Sequence, residues 1–385
     1  MINQVKVFWG SKKDFNSFLD KENLDELGDG TPFMELIQHY NSRIRPSEAG
    51  VKEEQLSKKI QYAYCICRAD DFSSVLPHVL SNFVNIVCLN HDLAVLYIHN
   101  PPRKVLESLE SFYEDNIQFE SSEYLVPSVD LLRKTHKNLR SDVLGQAESK
   151  KAIISGLYRL MRQKANKPVV IMLYGPSGVG KTETAKSISK TFGGKIQRIQ
   201  FSMMQNQEAM DYVFGSEHSK VSLARDLLAR ETNIVLIDEF DKVHPTFYNA
   251  FYEVFDEGHL VDTNYDVDLG NVVFLLTSNY MSEEEIKKAL GPAMFSRIGC
   301  CVKYEDLAPE EKKIIVLNWY EGITKDLDKK EKMYIDGTSI KPWFLENANR
   351  YDNIRILKNK LENAIYDSLA EHFIIENSEP INYEE

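Results

Sequence analysis

The eight residues that decide the fold read Gly175-Pro176-Ser177-Gly178-Val179-Gly180-Lys181-Thr182, and they lie between an apolar run and a helical stretch. Their glycines allow backbone N–H groups to turn inward around a phosphate, Lys181 can reach the β- and γ-phosphates, and the Thr182 hydroxyl can ligate Mg²⁺. The following helix directs its positive end at the same phosphates. A chance Gly-rich turn is disfavoured because the complete pattern stands between a β-run and a helix. The segment, extended by Glu183, therefore predicts a site for ATP and Mg²⁺.

Polar residues end two apolar runs farther along the chain. Asp238 and Glu239 follow the run Ile234–Ile237, where one carboxylate can hold Mg²⁺ through water and the next can act as general base. The alternative is a solvated acidic turn, and the upstream glycine loop favours the catalytic interpretation. Asn279 follows the run Val272–Thr277. Its amide could orient the attacking water, but an ordinary Asn turn explains it equally well from the residues alone.

Apolar runs alternate with helical stretches in the middle of the chain. Four such runs, two of them almost continuously apolar, predict strands that are buried on both faces. This alternation predicts an α/β fold in which helices flank a parallel sheet. From Ala308 onward the chain is mainly helical in pattern, and it ends in an acidic tail. The four predicted strands are Val169–Tyr174, Ile196–Phe201, Ile234–Ile237 and Val272–Thr277.

Residues 1–126 predict a separate N-terminal α/β domain. The alternation of strand and helix patterns in its second half gives the order β-α-β-β-α-β, which is the split pattern of ferredoxin-like domains. The predicted elements are a strand Gln61–Ala69, a helix Asp71–Phe83, strands Asn85–Leu89 and Leu93–His99, a helix after Pro101-Pro102 and a strand from Ile117.

Composition argues against nucleic-acid binding, structural zinc and a membrane location. The net charge of −12 disfavours non-specific binding to nucleic acid. The five cysteines form no pair of CxxC motifs, which argues against structural zinc and favours a reducing compartment. The start of the chain lacks the apolar core of a signal peptide, and its apolar runs are too short to cross a bilayer. These features predict a cytoplasmic protein with no membrane partner.

Several segments besides the glycine loop fall in a shared order and spacing. They are Val143-Leu144-Gly145-Gln146, Ile237-Asp238-Glu239-Phe240-Asp241-Lys242-Val243-His244-Pro245, Thr277-Ser278-Asn279, Phe295-Ser296-Arg297-Ile298 and Tyr351-Asp352-Asn353-Ile354-Arg355. With them, residues 129–373 resemble the AAA+ module of Clp-type chaperones and unfoldases, most of all their second ATPase ring. In that family the segments correspond to the adenine-side motif, the Walker B strand, the first sensor, the arginine finger and a shortened second sensor.

The resemblance implies roles for individual residues. Leu144 and Gly145 would lie on the adenine side, and Asn279 would act as the first sensor. Arg297 would reach the γ-phosphate bound by a neighbouring subunit and neutralise charge in the transition state; without the resemblance, a surface arginine is the better interpretation. Arg355 would contact the γ-phosphate in its own subunit, with a plain helix-face arginine as the alternative. The resemblance also implies a large domain over residues 127–305, a small helical domain over 306–385, and a ring, in this family a hexamer.

The chain departs from the family at the pore loop. Family members carry a Gly-Tyr-Val-Gly-like loop before the Walker B strand, and its aromatic residue grips threaded polypeptide. The corresponding stretch is Ala209–Ser219. Its Tyr212-Val213 resembles the grip superficially, but Val213-Phe214-Gly215 aligns better with the segment just before that loop, and on this alignment the loop is deleted. Tyr212 and Phe214 are then expected to pack inside the protein.

These observations predict an ATP-hydrolysing protein remodeller that works as a ring on an unidentified protein client or partner, which residues 1–126 would recognise. The alternative is a nucleotide-dependent switch or assembly ATPase that controls a partner effector, for example in a stress or defence complex. A DNA-linked ATPase is disfavoured by the acidic balance. A ring that pulls should be stimulated by unfolded polypeptide, and a switch by one folded partner.

Overall fold

A computed structural model of the chain describes residues 2–44, 61–162, 167–204 and 206–375. It contains two five-stranded sheets, a two-stranded hairpin and a group of C-terminal helices. The predicted acidic tail beyond Ile375 lies outside the described residues. No helix in the described ranges is long and apolar enough to cross a membrane. The strands are β1 Gln4–Trp9, β2 Gly30–Pro32, β3 Gln61–Cys67, β4 Asp92–His99, β5 Ile117–Ser121, β6 Val169–Tyr174, β7 Gln197–Gln200, β8 Ile234–Asp238, β9 His259–Val261, β10 Asp266–Asp268, β11 Val273–Ser278 and β12 Cys300–Lys303.

Helices connect these strands and form the C-terminal part of the chain. The α-helices are α1 Lys12–Lys21, α2 Leu24–Leu27, α3 Phe33–Ile44, α4 Pro77–Ser81, α5 Arg103–Tyr113, α6 Val129–Asp142, α7 Ala147–Arg162, α8 Lys181–Thr191, α9 Asn206–Phe214, α10 Leu223–Leu228, α11 Tyr248–Glu257, α12 Glu283–Phe295, α13 Pro309–Lys325, α14 Lys329–Asp336, α15 Ile340–Asn347 and α16 Ile354–Ala370. Shorter 3₁₀ or π-helical turns are Asp71–Ser74, Val84–Cys88, Glu114–Asn116, Phe201–Met203, Phe240–Lys242, Pro245–Phe247, Ala348–Arg350 and Glu371–Ile375.

The N-terminal sheet has the strand order β2-β3-β4-β1-β5, and all its pairs are parallel. The α/β prediction is confirmed, but the ferredoxin-like order is wrong. The predicted strand Asn85–Leu89 is instead the π-helical turn Val84–Cys88, whose apolar side chains pack in the core. A short apolar run has no period that separates a strand from a buried helical turn. In addition, β1 was not predicted, although it lies between β4 and β5.

The second sheet has the order β12-β6-β11-β8-β7 and is also parallel throughout. Its four predicted strands are all present, and every residue of β6, β8 and β11 is buried. Burial on both faces explains their continuous apolar sequences. Because β11 lies between β6 and β8, the carboxyl ends of all three strands meet at one edge of the sheet.

The C-terminal helices pack around their own apolar core. One face of α16, spaced every four residues through Leu357, Leu361 and Ile365, is fully buried against Val316 and Tyr320 of α13. This spacing places the apolar side chains on one helix face. The predicted helical character from Ala308 onward is therefore confirmed.

The N-terminal sheet contacts the segment that precedes β8. Arg225 of α10 donates to Ser73 Oγ at 2.8 Å and to Asp70 Oδ1 at 2.9 Å. The ring of His218 bonds the Val75 carbonyl at 2.8 Å. Trp9, at the end of β1, packs against the apolar cores of both sheets. Polar and apolar contacts together therefore join the two sheets.

Candidate nucleotide site

The phosphate loop connects β6 to α8. The chain leaves β6 at Gly175 with a φ of 133°, and a Cβ there would collide with the Tyr304 carbonyl. Gly178 and Gly180 also have positive φ values, 87° and 103°. Only glycine adopts such conformations without strain. The loop therefore has the glycine-dependent shape that its sequence predicts, and α8 begins directly after it at Lys181.

The ammonium group of Lys181 lies against the loop. Its Nζ donates to the carbonyl oxygens of Gly175 at 2.6 Å and Pro176 at 2.7 Å, and it lies 3.4 Å from Asn279 Oδ1. Burial lowers the pKa of Lys181 to about 8, although nearby carboxylates oppose this shift. Phosphate oxygens would offer this ammonium charged acceptors in place of two neutral carbonyls. Lys181 and Asn279, predicted from separate motifs, are thus neighbours.

Asp238 has partners on both neighbouring strands. Arg198 of β7 donates to Oδ2 from Nε at 3.0 Å and from a terminal guanidinium nitrogen at 2.5 Å. On the other side, Thr277 of β11 donates its hydroxyl to Oδ1. Asp238 is therefore a buried carboxylate compensated by one cation. Arg198 was not predicted, because nothing in its short strand indicates that it lies beside the acidic end of β8.

Glu239 has a strained backbone conformation. Its φ of 56° lies in the left-handed region, which costs a non-glycine residue roughly 1–3 kcal/mol. Its N–H donates to Thr277 Oγ1 at 2.9 Å, and Gln200 Nε2 lies 3.5 Å from its carboxylate. These contacts hold the half-buried side chain at the sheet edge. Strain that the surroundings maintain is common at catalytic positions, in keeping with the predicted general base.

Two adjoining cavities meet at the loop. The first has a volume of 410 Å³ and is mainly polar in its lining. The second has a volume of 260 Å³ and is mainly apolar. The predicted residues in the polar cavity are Ser177, Gly178, Gly180, Lys181, Thr182, Glu183, Asp238, Glu239, Asn279 and Arg355. The apolar cavity is lined by Val143, Leu144, Val179, Leu307, Ile315 and Ile354, among others. Phosphates fit the first lining and a nucleobase the second.

Gly145 is the adenine-side residue that does not line the apolar cavity. It has a φ of 60°, and a Cβ there would collide with the carboxylate of Glu311 on α13. Its place is therefore a close approach between the start of α7 and the C-terminal helices.

The C-terminal helices contribute three side chains to the polar cavity. Arg355 and Lys358 come from α16 and Trp319 from α13. Trp319 also lines the apolar cavity, and Lys358 Nζ lies 6.0 Å from the centroid of its ring. Arg355 thus lines the same cavity as the phosphate loop. Lys358 and Trp319 were not predicted; Lys358 lies one helical turn after Arg355, and this spacing could have indicated it.

Arg297 lies apart from both cavities. Its guanidinium bonds Asp256 Oδ2 at 2.8 Å from Nε and at 2.6 Å from a terminal nitrogen. It also lies 4.5 Å from the ring centroid of Tyr252. Both partners belong to α11. Within this chain Arg297 is therefore not brought together with the other predicted site residues.

The two aromatic residues near the missing pore loop differ. Tyr212 is buried, and its hydroxyl donates to Asp226 Oδ2 at 2.8 Å. Phe214 is 39% exposed. The expected packing is confirmed for Tyr212 and wrong for Phe214, which is the last residue of α9. The chain turns there into Gly215 with a φ of 75°, so the ring is left at the surface.

The glycine loop after β6, the carboxylates after β8 and the amide after β11 define a P-loop nucleotide-binding domain of the ATPase class. Residues 166–333 match the family described as the AAA domain of the Cdc48 subfamily. The chain contains a Clp-type AAA+ ATPase module.

Curated relatives and a solved structure resemble the chain over part of their length. It is 26% identical over 282 residues to the chaperone protein ClpB of Malacoplasma penetrans, covering 66% of this chain and 40% of that protein. It is 31% identical over 193 residues to the ClpA homolog protein of Fuscovulum blasticum, covering 48% and 24%. The Saccharomyces cerevisiae Hsp104–ADP complex aligns at 20% identity and a TM-score of 0.46, over 64% of this chain and 49% of that one. The chain thus spans less than half the length of these curated relatives.

Proposed function

We propose that this chain hydrolyses ATP and uses the reaction to remodel a protein client within a ring of its own copies. One observation carries the proposal. Lys181, Glu239 and Asn279, which come from three separate motifs, line one polar cavity of 410 Å³ beside an apolar cavity of 260 Å³. A cation for the phosphates, a carboxylate for the water and an apolar slot for the base are the parts that ATP hydrolysis needs.

The proposed reaction uses the groups as the cavity presents them. Lys181 exchanges its two carbonyl partners for β- and γ-phosphate oxygens. Glu239 accepts the proton of the attacking water, and the Asn279 amide holds that water in line with the γ-phosphate. Arg355 bonds a γ-phosphate oxygen from α16, so that loss of the γ-phosphate releases the C-terminal helices from the loop.

The residues present fit a Mg²⁺ ion. Thr182 and Asp238 supply the hard oxygen donors that Mg²⁺ prefers. Ser278 Oγ, which is buried in the lining of the same cavity, has no hydrogen-bond partner among the described residues. Mg²⁺ uses few protein ligands because it keeps waters and takes phosphate oxygens. When bound, it would neutralise charge on the β- and γ-phosphates.

A ring, with a hexamer as the proposed size, would complete the site. Arg297 is bound to Asp256 outside its own chain's cavity, which suits an arginine that serves the neighbouring subunit's nucleotide. We further propose the division into domains 1–126, 127–305 and 306–385, with the first recognising the client, and a cytoplasmic location.

A second function is favoured by the contacts of the N-terminal sheet. His218 lies within the stretch Ala209–Ser219 that corresponds to the family's pore-loop region, Arg225 follows this stretch, and both bond the N-terminal unit. A segment held in this way suits a switch that acts on a folded partner better than a loop that pulls polypeptide.

One pair of measurements tests both functions. ATP hydrolysis by the full chain is measured with a permanently unfolded polypeptide and, separately, with proteins that copurify with the ATP-loaded Glu239→Gln variant. Stimulation by unfolded chains supports the remodeller. Stimulation only by one folded partner supports the switch. Absence of ATP hydrolysis at every protein concentration would overturn both.

A further inference from the structure

The N-terminal sheet has a crevice of the kind that binds ligands in other parallel sheets. Its strands β1 and β4 are neighbours, but the helices that follow them cover opposite faces. Phe15 of α1 packs with Phe8 and Tyr97 on one face, and Val105 of α5 packs with Val7 on the other. Where successive helices leave to opposite faces, a crevice opens at the carboxyl ends of the strands, and ligands bind there.

A cavity of 240 Å³ lies at this place. Residues that follow β1 and β3, with the end of β4 and the residue after it, form most of its wall. Arg225, Ala229 and Glu231 of the second α/β unit form the rest. The cavity is therefore shared by the two units. Arg225 belongs to α10, the last helix before β8, so an occupant would touch the segment that leads into the catalytic strand.

The lining carries an excess of positive charge. It contains four cations, Lys12, Lys13, Arg68 and Arg225, and two carboxylates, Asp70 and Glu231. The excess of two positive charges contrasts with the chain's net charge of −12.

The carboxylates of the lining are already bonded, whereas the side chains of two of its cations form no ion pair within the described parts of the chain. Asp70 pairs with Arg225 at 2.9 Å and with Lys12 at 3.8 Å, and Glu231 accepts from a backbone N–H at 3.1 Å. Among the described residues, neither the Lys13 ammonium nor the Arg68 guanidinium forms an ion pair with a carboxylate. The Arg68 guanidinium instead donates to the neutral Asn16 Oδ1 at 2.8 Å and lies 5.7 Å from the ring centroid of Phe15. An anion in the cavity would offer these two cations a charged acceptor.

The floor of the cavity is rigid and neutral. Asn100 is buried with a φ of 47°, and its side chain bonds the N–H and the carbonyl of Gly10 at 2.9 and 2.8 Å. His99 donates from Nε2 to the same carbonyl at 2.9 Å, and burial lowers its pKa to about 4, so it is uncharged at neutral pH. A strained, buried residue at a strand end is a frequent feature of ligand sites.

We propose that this cavity binds a small phosphorylated molecule, whose phosphate is held by Lys13 and Arg68 and which reaches Arg225 of the ATPase module. The ligand bridges the two α/β units. It is distinct from the nucleotide after β6, because the two cavities share no lining residue.

The test uses the full chain with Lys181→Ala, which weakens phosphate binding at the loop after β6. Titration calorimetry with pyrophosphate and with ribose 5-phosphate, in separate arms, distinguishes a diphosphate from a phosphomonoester. We expect saturable binding of at least one probe. Lys13→Gln and Arg68→Gln, each added to this background, should weaken binding about tenfold (about 1.4 kcal/mol in free energy). Lys21→Gln removes the same charge from the other end of α1 and should leave affinity unchanged.

Two results would overturn the proposal. One is that neither pyrophosphate nor ribose 5-phosphate binds. The other is equal affinity in the Lys13→Gln, Lys21→Gln and parent proteins. Lys13 is exposed, so its replacement does not endanger folding, and Arg68→Lys, which keeps the charge, should retain most of the affinity that Arg68→Gln loses.

Discussion

At the carboxyl ends of its strands, the second sheet presents Lys181 beside the carboxylates Asp238 and Glu239, whereas the N-terminal sheet presents cations around a neutral His99. Both sheets are parallel, and both have a cavity at this edge. A phosphate in the cavity of the second sheet would lie beside Glu239, the proposed general base. A phosphate in the cavity of the N-terminal sheet would lie beside Asp70 and Glu231, whose carboxylates are already bonded. In both sheets the parallel topology opens a cavity at this edge, and the residues after each strand decide whether a phosphate bound there would meet a catalytic base.

The largest effect is expected at the site that we propose two neighbouring copies share. Arg297→Ala should leave ATP binding in the isolated chain intact and lower turnover of the assembly roughly 10³-fold, the effect of removing an arginine finger. Steady-state phosphate release measures it. Mixing Arg297→Ala with Glu239→Gln chains should restore part of the activity, since some interfaces then carry both intact groups. No recovery, together with monomeric behaviour in ATP, would contradict a shared site.

Glu239→Gln tests whether the edge of the second sheet carries a catalytic base. Removing a general base should lower turnover about 10³-fold and leave ATP affinity within a few-fold of wild type. Rapid-quench hydrolysis and equilibrium binding separate the two quantities. Glu253→Gln, which alters an exposed carboxylate on α11, is the matched control. Wild-type turnover in Glu239→Gln would show that this edge lacks the base assigned to it.

Affinity for ADP should depend on pH through Lys181. With its pKa at about 8 in the free protein, the lysine loses its charge above that pH, while bound phosphates favour the charged form. Binding must then take up a proton, so affinity should fall as pH rises, approaching tenfold per unit between about pH 8 and 9.5. Calorimetry across this range measures it. Lys181→Ala should bind weakly at every pH, and a flat wild-type profile would contradict the prediction.

A smaller effect is expected from the aromatic residue that joins the two halves of the nucleotide site. Trp319→Ala should weaken ADP binding about three- to tenfold, consistent with roughly 0.5–1.5 kcal/mol for an aromatic contact. ADP should also change the intrinsic tryptophan fluorescence. That change should vanish in Trp319→Phe and persist in Trp343→Phe, which alters an exposed tryptophan of the same helical group. The reverse pattern would place the nucleotide elsewhere.

The smallest effects concern the segment between the two sheets. Tyr212→Phe leaves the Asp226 carboxylate without its hydroxyl partner and should lower the free energy of unfolding by about 1–3 kcal/mol. Phe214→Ala, at an exposed position, should lower it by less than about 1 kcal/mol. Denaturant unfolding compares them. A larger loss for Phe214→Ala would indicate that its ring is covered in solution.

The sequence predicts the second sheet well because continuous apolar runs and a spaced motif agree there. β6 is the clearest case, since it is buried throughout and ends at the loop. The N-terminal sheet lacks such agreement. β5 exposes four of its five residues and therefore has no strong period. β1 alternates between half-buried and buried positions only from Gln4 to Val7, which is too short to separate it from a turn.

Candidate site residues could be predicted where a sequence motif contains them. They could not be predicted where only strand pairing or helix packing brings them to the site. Asp238 ends its strand and Lys181, Glu239 and Asn279 follow theirs, and the structure places all four in the lining of one cavity. Arg198 meets Asp238 only because β7 pairs with β8. Trp319 reaches the cavity because α13 folds back over the sheet, which is a tertiary contact that no local pattern contains.

Trp9 links the stability of the two sheets. Its ring packs against the apolar cores of both sheets, so neither core can lose its structure without exposing a surface that the other helps to cover. Shared apolar burial of this kind couples the melting of adjoining units. Heating should therefore unfold the two sheets in one transition. Removal of residues 1–9 should lower the thermal stability of the ATPase module, although every sequence motif of that module would remain.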